Sequence, residues 1–140
     1  MTPKRLPPDD PREWLNRARA NLARALVPLS GGYLEDLCFD AQQAGEKAIK
    51  AVFISRDEHF PFIHDLEKLL GILDRNGLNI PKYAWQADKL SRYAAVTRYP
   101  GAVPPVTLRE YRRAVGIATA VLGWAERQVA KGGTGPGGKK

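Results

Sequence analysis

Apolar residues recur along most of this chain at spacings of three and four, as helices with one buried stripe require, and no stretch alternates with period two. The first stripe runs through Leu15, Ala18, Leu22, Ala25, Leu26 and Leu29, with Arg17, Arg19 and Arg24 mostly off it. Ahead of it, Asp10-Pro11-Arg12-Glu13 reads as a helix start. Asp10 caps, Pro11 suits the first helical position, and Glu13 stands three residues on, where a capping box places its acid. Pro28 and Ser30-Gly31-Gly32 end that helix.

A second helix is predicted from about Tyr33 to Arg56, on Leu34, Leu37, Cys38, Ala41, Ala44, Ala48 and Val52, widened by Ile49, Phe53 and Ile54. Its small residues Ala41, Ala44, Gly45 and Ala48 suit a central helix approached closely from more than one side. Asp57 to His64 reads as a loop. A short helix from about Asp65 uses Leu66, Leu69, Leu70 and Leu73, and Asn76-Gly77 stops it. A fourth helix is predicted from Lys82 to Val96, with Ala84, Ala87, Leu90 and Ala94 inward, broken by Gly101, Pro104 and Pro105. Thr107-Leu108-Arg109-Glu110 is a second capping box, opening a last helix on Leu108, Tyr111, Val115, Ala118, Leu122, Ala125 and Val129.

These elements predict an all-α fold: an antiparallel bundle of about five helices around an up-and-down four-helix core, in one domain over residues 10–130. Residues 1–9 form a Pro-rich arm expected to be flexible. The Gly/Lys tail 131–140 has nothing to bury and is expected to be disordered.

Composition narrows the chemistry. The 140 residues hold one cysteine, Cys38, so neither an internal disulfide nor a cysteine-based metal cluster is available; among apolar neighbours it reads as a packed thiol. No apolar run reaches the roughly 20 residues of a membrane span, and the first residues lack the apolar stretch of a secretory signal, so a cytoplasmic protein is expected. The net charge of +7 is uneven. Residues 82–130 carry eight basic side chains against three acidic ones, whereas residues 33–50 carry two against four. That asymmetry suits nucleic acid, a nucleotide or an acidic protein partner, and it also occurs on proteins that bind none of these.

Three segments resemble the HEPN domain, the higher-eukaryote and prokaryote nucleotide-binding family. Asp40 to Ala51 is similar to its central-helix pattern of small residues followed by E-K-A-x-K, here Glu46-Lys47-Ala48-Ile49-Lys50. Pro61 to Leu66 resembles its H-D-L approach to the third helix, here His64-Asp65-Leu66. Arg92-Tyr93 through Arg98-Tyr99-Pro100-Gly101 resembles its R-Y-P ending of the fourth. The resemblance spans Glu13 to Val129. It implies a bundle that pairs into a homodimer, and association with a minimal nucleotidyltransferase in toxin–antitoxin-like pairs. It also implies that some relatives are metal-independent ribonucleases, using Arg followed by four to six residues and His. Here two residues separate Arg56 from His59 and seven separate Arg56 from His64, and no histidine lies in the last helices. The ribonuclease motif is absent, and no catalytic residue is assigned.

The candidate nucleotide- or anion-binding residues are His64, Arg92, Arg98, Tyr99, Arg109, Arg112 and Arg113. His64, before a helix start, either contacts a phosphate or base or bonds a neighbouring backbone group and fixes the turn. Arg92 and Arg98 either satisfy terminal carbonyls or hold a phosphate while Tyr99 stacks a base. Arg109, Arg112 and Arg113 share one side of the last helix as a solvated basic face or an anion-binding wall. Trp14, Trp85 and Trp124 read as core or interface anchors, with Trp85 the preferred dimer contact, and Lys47 and Lys50 as snorkelling surface lysines. No phosphate loop, zinc-protease or hydrolase-elbow motif occurs, and no Glu-x-x-His pair, so neither metal nor cofactor is assigned. The expected function is a binding module related to nucleotides or RNA, the alternative a ribonuclease with a divergent site using Arg56, His64 or Arg98.

Overall fold

A computed structural model describes residues 4–27, 32–95, 99–101 and 103–132. Arg98 and the tail residues 133–140 lie outside them. Helix α1 spans Pro11–Ala25, α2 Leu34–Ser55, α3 Leu66–Arg75, α4 Lys82–Trp85 and α5 Leu108–Gly132, and a 3-10 helix, Gln86–Ala94, continues α4 without a break. The chain is an all-α bundle, and no strand occurs among the described residues.

Contacts along the helices give their directions. Arg19 of α1 meets Glu126 of α5, and Tyr111 near the start of α5 donates its hydroxyl hydrogen to the Ala25 carbonyl at the end of α1, so these two helices are antiparallel. Glu35 at the start of α2 receives the Val106 N–H just ahead of α5, and Ser55 at its end lies beside Gly132, so α2 and α5 run the same way. Arg127–Tyr83 at one end and Arg92–Glu110 at the other set the α4/3-10 segment antiparallel to α5. The short α3 lies along the second half of α2, from Glu46 opposite His64 to Arg56, whose guanidinium donates to the Asn76 carbonyl.

Helix α2 is the axis of the core. Cys38, Ala41, Ala44, Ala48, Ile49, Ala51, Val52 and Phe53 have no exposed surface, and the small side chains among them let α1, α5 and the 3-10 helix approach closely. Gly45 makes the same point: a Cβ there would stand 2.9 Å from Leu90 Cδ1 and 3.5 Å from Leu66 Cδ1. No helix among the described residues is long and apolar enough to cross a membrane.

The caps sort the expectations. Asp65 opens α3 by accepting the Lys68 N–H, and Thr107 and Glu110 exchange both hydrogen bonds of a capping box. Asp10 caps α1 through the Arg12 N–H, but the Glu13 carboxylate does not take the Asp10 N–H in return, which goes to the Pro7 carbonyl. Its carboxylate takes the Leu6 N–H at 2.9 Å and the Arg17 guanidinium at 2.6 Å. With the Trp14 indole N–H donated to the Pro8 carbonyl, this ties the arm to α1.

Two boundaries are corrected. Helix α1 stops at Ala25, where the Leu26 N–H bonds the Leu22 carbonyl and the Val27 N–H the Arg24 carbonyl; Leu29, the last residue of the predicted stripe, lies outside the described residues. The fourth helix is α-helical for one turn only. Its buried residues Ala84, Ala87, Leu90 and Tyr93 recur at a spacing of three, which matches 3.0 residues per turn, and Ala94 is only half-buried.

Candidate functional site

One line of polar residues runs through the buried face of α2. Gln42, Glu46 and Lys50, four residues apart, are 0%, 5% and 6% exposed. Placing a charge pair there is costly unless every oxygen and hydrogen is satisfied. Glu46 Oε1 accepts from Gln42 Nε2 at 2.8 Å, and Oε2 accepts from Lys50 Nζ at 2.7 Å. Lys50 Nζ also lies 4.9 Å from the centroid of the Phe60 ring. His64 closes the carboxylate, with Nδ1 3.0 Å from one oxygen and 3.1 Å from the other. Burial pushes the Glu46 carboxyl up, but hydrogen bonds from Lys50, Gln42 and His64 and the charge of Lys50 outweigh it and hold the group below the usual glutamate value. An ionised Glu46 has no proton to give, so the hydrogen in this contact belongs to His64 Nδ1. With its hydrogen on Nδ1, the unprotonated form of the ring offers Nε2 as an acceptor, on a side chain 68% exposed.

His64 therefore bonds a carboxylate 18 residues away, not a neighbouring backbone group. The α3 start beside it has donors already engaged: Leu66 N–H goes to Ser91 Oγ and Lys68 N–H to Asp65. Lys50 is a buried ion-pair partner and not a snorkelling surface lysine. Lys47 is half-buried and donates to Asn21 Oδ1, and its ammonium is lowered by burial and by Arg24 and Arg17. Sequence reasoning missed Gln42, Glu46 and Lys50. Their signal was a polar spacing of four, each residue directly following one of the small or apolar residues Ala41, Gly45 and Ile49.

The aromatic residues nearby form a connected set. Phe60 meets Trp14 edge-on at 5.3 Å, Phe53 at 6.0 Å and Phe62 at 6.5 Å between ring centroids. Phe60 is half-buried, whereas Phe62 is 96% exposed.

The predicted arginine group lies at the junction of the 3-10 helix and α5. Arg109, Arg112 and Arg113 are exposed on the first turns of α5, and Tyr111 points inward. Arg92 reaches Glu110 across the junction, at 3.5 Å, with about half of its side chain in solvent. The Glu110 carboxyl is lowered by its hydrogen bonds to Thr107 and by the charges of Arg92 and Arg113, so Arg92 and Arg113 act on the same place. Tyr99 lines a cleft of about 590 Å³ whose other walls include Tyr33, Glu35, Asp36 and Pro100. Structure thus brings Arg92 to the α5 arginines, gathers Tyr99 with acidic side chains, and sets His64 apart on Glu46. Trp124 is buried, Trp14 packs on Phe60, and Trp85 borders a groove of about 580 Å³ with Ile63, Gly71 and Ile72. Among the described residues no three acids, histidines or cysteines gather as a metal site.

Residues 11–128 match the family model of the HEPN domain. TT1696 from Thermus thermophilus is similar in structure, with a TM-score of 0.76 and 32% identity over 86% of this chain and 98% of that one. ST0689, an archaeal HEPN homologue, superposes with a TM-score of 0.69 and 28% identity over 91% of this chain and 99% of its own. No curated protein matches.

Proposed function

The chain belongs to the HEPN family, and on that premise we propose that it is a binding module for a nucleotide or RNA, working as the partner of a minimal nucleotidyltransferase in a toxin–antitoxin-like pair. The observation that carries this reading is the cluster of exposed arginines at the capped start of α5, Arg109, Arg112 and Arg113, with Arg92 across the junction. A guanidinium suits phosphate because its planar fork offers two parallel, charge-assisted hydrogen bonds. Binding there is weak and strongly salt-dependent. Two copies pair through the groove beside Trp85, and light scattering then returns twice the 15.5 kDa chain mass.

Titration with a nucleotide and with a short single-stranded RNA, each in a salt series, tests the reading. Replacing Arg109 and Arg112 by Gln costs about 2 kcal/mol of binding, the scale of one or two charge-assisted bonds. Replacing Lys4 and Arg5, exposed on the arm, removes the same charge from another face. Equal losses in both double mutants leave only a global charge effect and end the proposal.

A second reading, a ribonuclease with a divergent site, is favoured by one observation: the carboxylate–imidazole pair of Glu46 and His64. A held imidazole is the commonest general base. Incubation of RNA with purified protein, wild type against His64→Ala, decides it. Intact RNA in both removes this reading, and cleavage lost in the variant establishes it.

A further inference from the structure

We propose that Phe62 and His64 form a nucleoside site, in which the base stacks on the Phe62 ring and a hydrogen-bond donor of the same nucleoside binds His64 Nε2. This rests on the reading that the protein binds nucleotides or RNA, and it names a place other than the α5 arginines.

The first support is Phe62. The Ile63 N–H bonds back to the Pro61 carbonyl at 2.9 Å, closing a tight turn with Phe62 at its apex. The ring is 96% exposed and meets Phe60 edge-on. Phe60 already packs on Trp14 and Phe53, so Phe62 adds little to the core. A phenyl ring left in water forfeits roughly 1.5–3 kcal/mol of burial, and a flat partner on its open face recovers part of that.

The second support is the expense of the apparatus behind His64. Buried ion pairs often contribute nothing net to stability, since apolar residues of similar volume do as well. Gln42, Glu46 and Lys50 are nonetheless satisfied down to each carboxylate oxygen, and the imidazole carries them to the surface. Such a carboxylate fixes both the tautomer and the ring plane of a histidine, which matters when the far nitrogen meets a ligand. Phe60 joins the two halves: it touches Phe62 on one side and Lys50 on the other, and Lys50 holds Glu46. The stacking plane and the oriented acceptor are thereby one connected unit.

A stacking plane and an oriented polar group together are how unpaired bases are held, and here the two stand two residues apart on one turn. A protein partner would use the exposed ring as an anchor but would have no need for a fixed tautomer. The closing experiment is an amide-resolved NMR titration of the full chain with adenosine, and separately with ribose 5-phosphate. Adenosine shifts the amides of Phe62, Ile63 and His64. Phe62→Ala weakens it about tenfold, within the range of one stacked base. His64→Ala weakens it several-fold and removes the penalty that either 2′-deoxyadenosine or purine riboside shows with the wild type, which identifies the donor. Phe62 is exposed, so Phe62→Ala keeps the wild-type melting temperature. His64→Ala withdraws a hydrogen bond from the buried Glu46 carboxylate and lowers that temperature, so all titrations are run well below either transition. Adenosine that leaves these amides unmoved, or binds Phe62→Ala as it binds the wild type, overturns the site. So does a Phe62→Ala variant that takes adenosine normally yet loses a nucleotidyltransferase partner, for the ring is then a protein anchor. Ribose 5-phosphate reports separately on the α5 arginines: its failure there, with adenosine still bound, ends that reading and not this one.

Discussion

The His64 imidazole and the Glu46 carboxylate meet through both carboxylate oxygens, at 3.0 and 3.1 Å, with the acid side chain 6% exposed and the ring mostly in water. One residue belongs to the core and the other to the surface, so the pair links the buried polar line of α2 to solvent. Its strength depends on Lys50, whose ammonium neutralises the same carboxylate from the opposite side.

Removing one partner of that buried ion pair should be severe. Glu46→Gln leaves the Lys50 ammonium unpaired and is expected to cost about 3–5 kcal/mol, whereas exchanging both groups in Glu46→Gln/Lys50→Met recovers most of it. Chemical denaturation of the two single mutants and the double mutant measures the coupling. Additive losses would mean that the two side chains do not act as a pair.

The acid limb of stability follows from the same group. Glu46, Glu13 and Glu110 all titrate below their ordinary 4.5 in the folded chain. An unfolded chain therefore binds more protons as the pH falls through that range, and the folded state loses ground to it. Stability is expected to be full above about pH 5 and to decline below 4.5 and on through the lowered folded values. In melts from about pH 6 down to about pH 3, Glu46→Gln should flatten this decline. An unchanged slope would show that Glu46 is not held in its charged form.

Much of this fold was legible in the sequence because its signals are local. The second capping box, the Asp65 cap and the Asn76-Gly77 stop each act over a few residues, and all three lie where the residues predict. The 3-10 segment was written in the spacing Ala84, Ala87, Leu90, Tyr93, but a run of three-residue steps is read easily as an α stripe until Tyr93 is seen to be buried. Glu13 fits a capping box by position, and what diverts it is the arm folding back to bring Leu6 to its carboxylate. The candidate site was less legible still. Glu46 and His64 lie 18 residues apart, and only the return of the loop against α2 joins them.

Gly45 tests the closeness of that packing. Alanine is worth roughly 1 kcal/mol more than glycine in a helix interior, but its methyl would stand 2.9 Å from Leu90 Cδ1, and Leu90 has no exposed surface into which to move. Overpacking of this kind costs about 1–3 kcal/mol, so Gly45→Ala should be destabilising on balance by about 1 kcal/mol. Leu90→Val makes room, and in its background the same substitution should turn favourable. A gain in the wild-type background would place Leu90 farther from α2 than it stands here.

Cys38 supplies the last test, at the alkaline end. Its thiol has no exposed surface, and burial, followed by the charges of Glu110 and Glu35, pushes it from an ordinary 9.0 up to about 12. The sign is opposite to that of the acids above. Between these two values the unfolded chain has released the thiol proton and the folded chain has not, so stability falls as the pH rises from about 9 toward 12. Tyr93, also raised by burial, works in the same direction. Since only the thiolate reacts with a disulfide reagent, the folded chain should be inert at about pH 8, and labelling must wait for opening of the bundle. Its rate should then track global stability: faster in Glu46→Gln, and levelling off once the pH exceeds the ordinary thiol value. Rapid labelling at about pH 8 that ignores Glu46→Gln would mean that Cys38 is reached through a local opening between α2 and the start of α5.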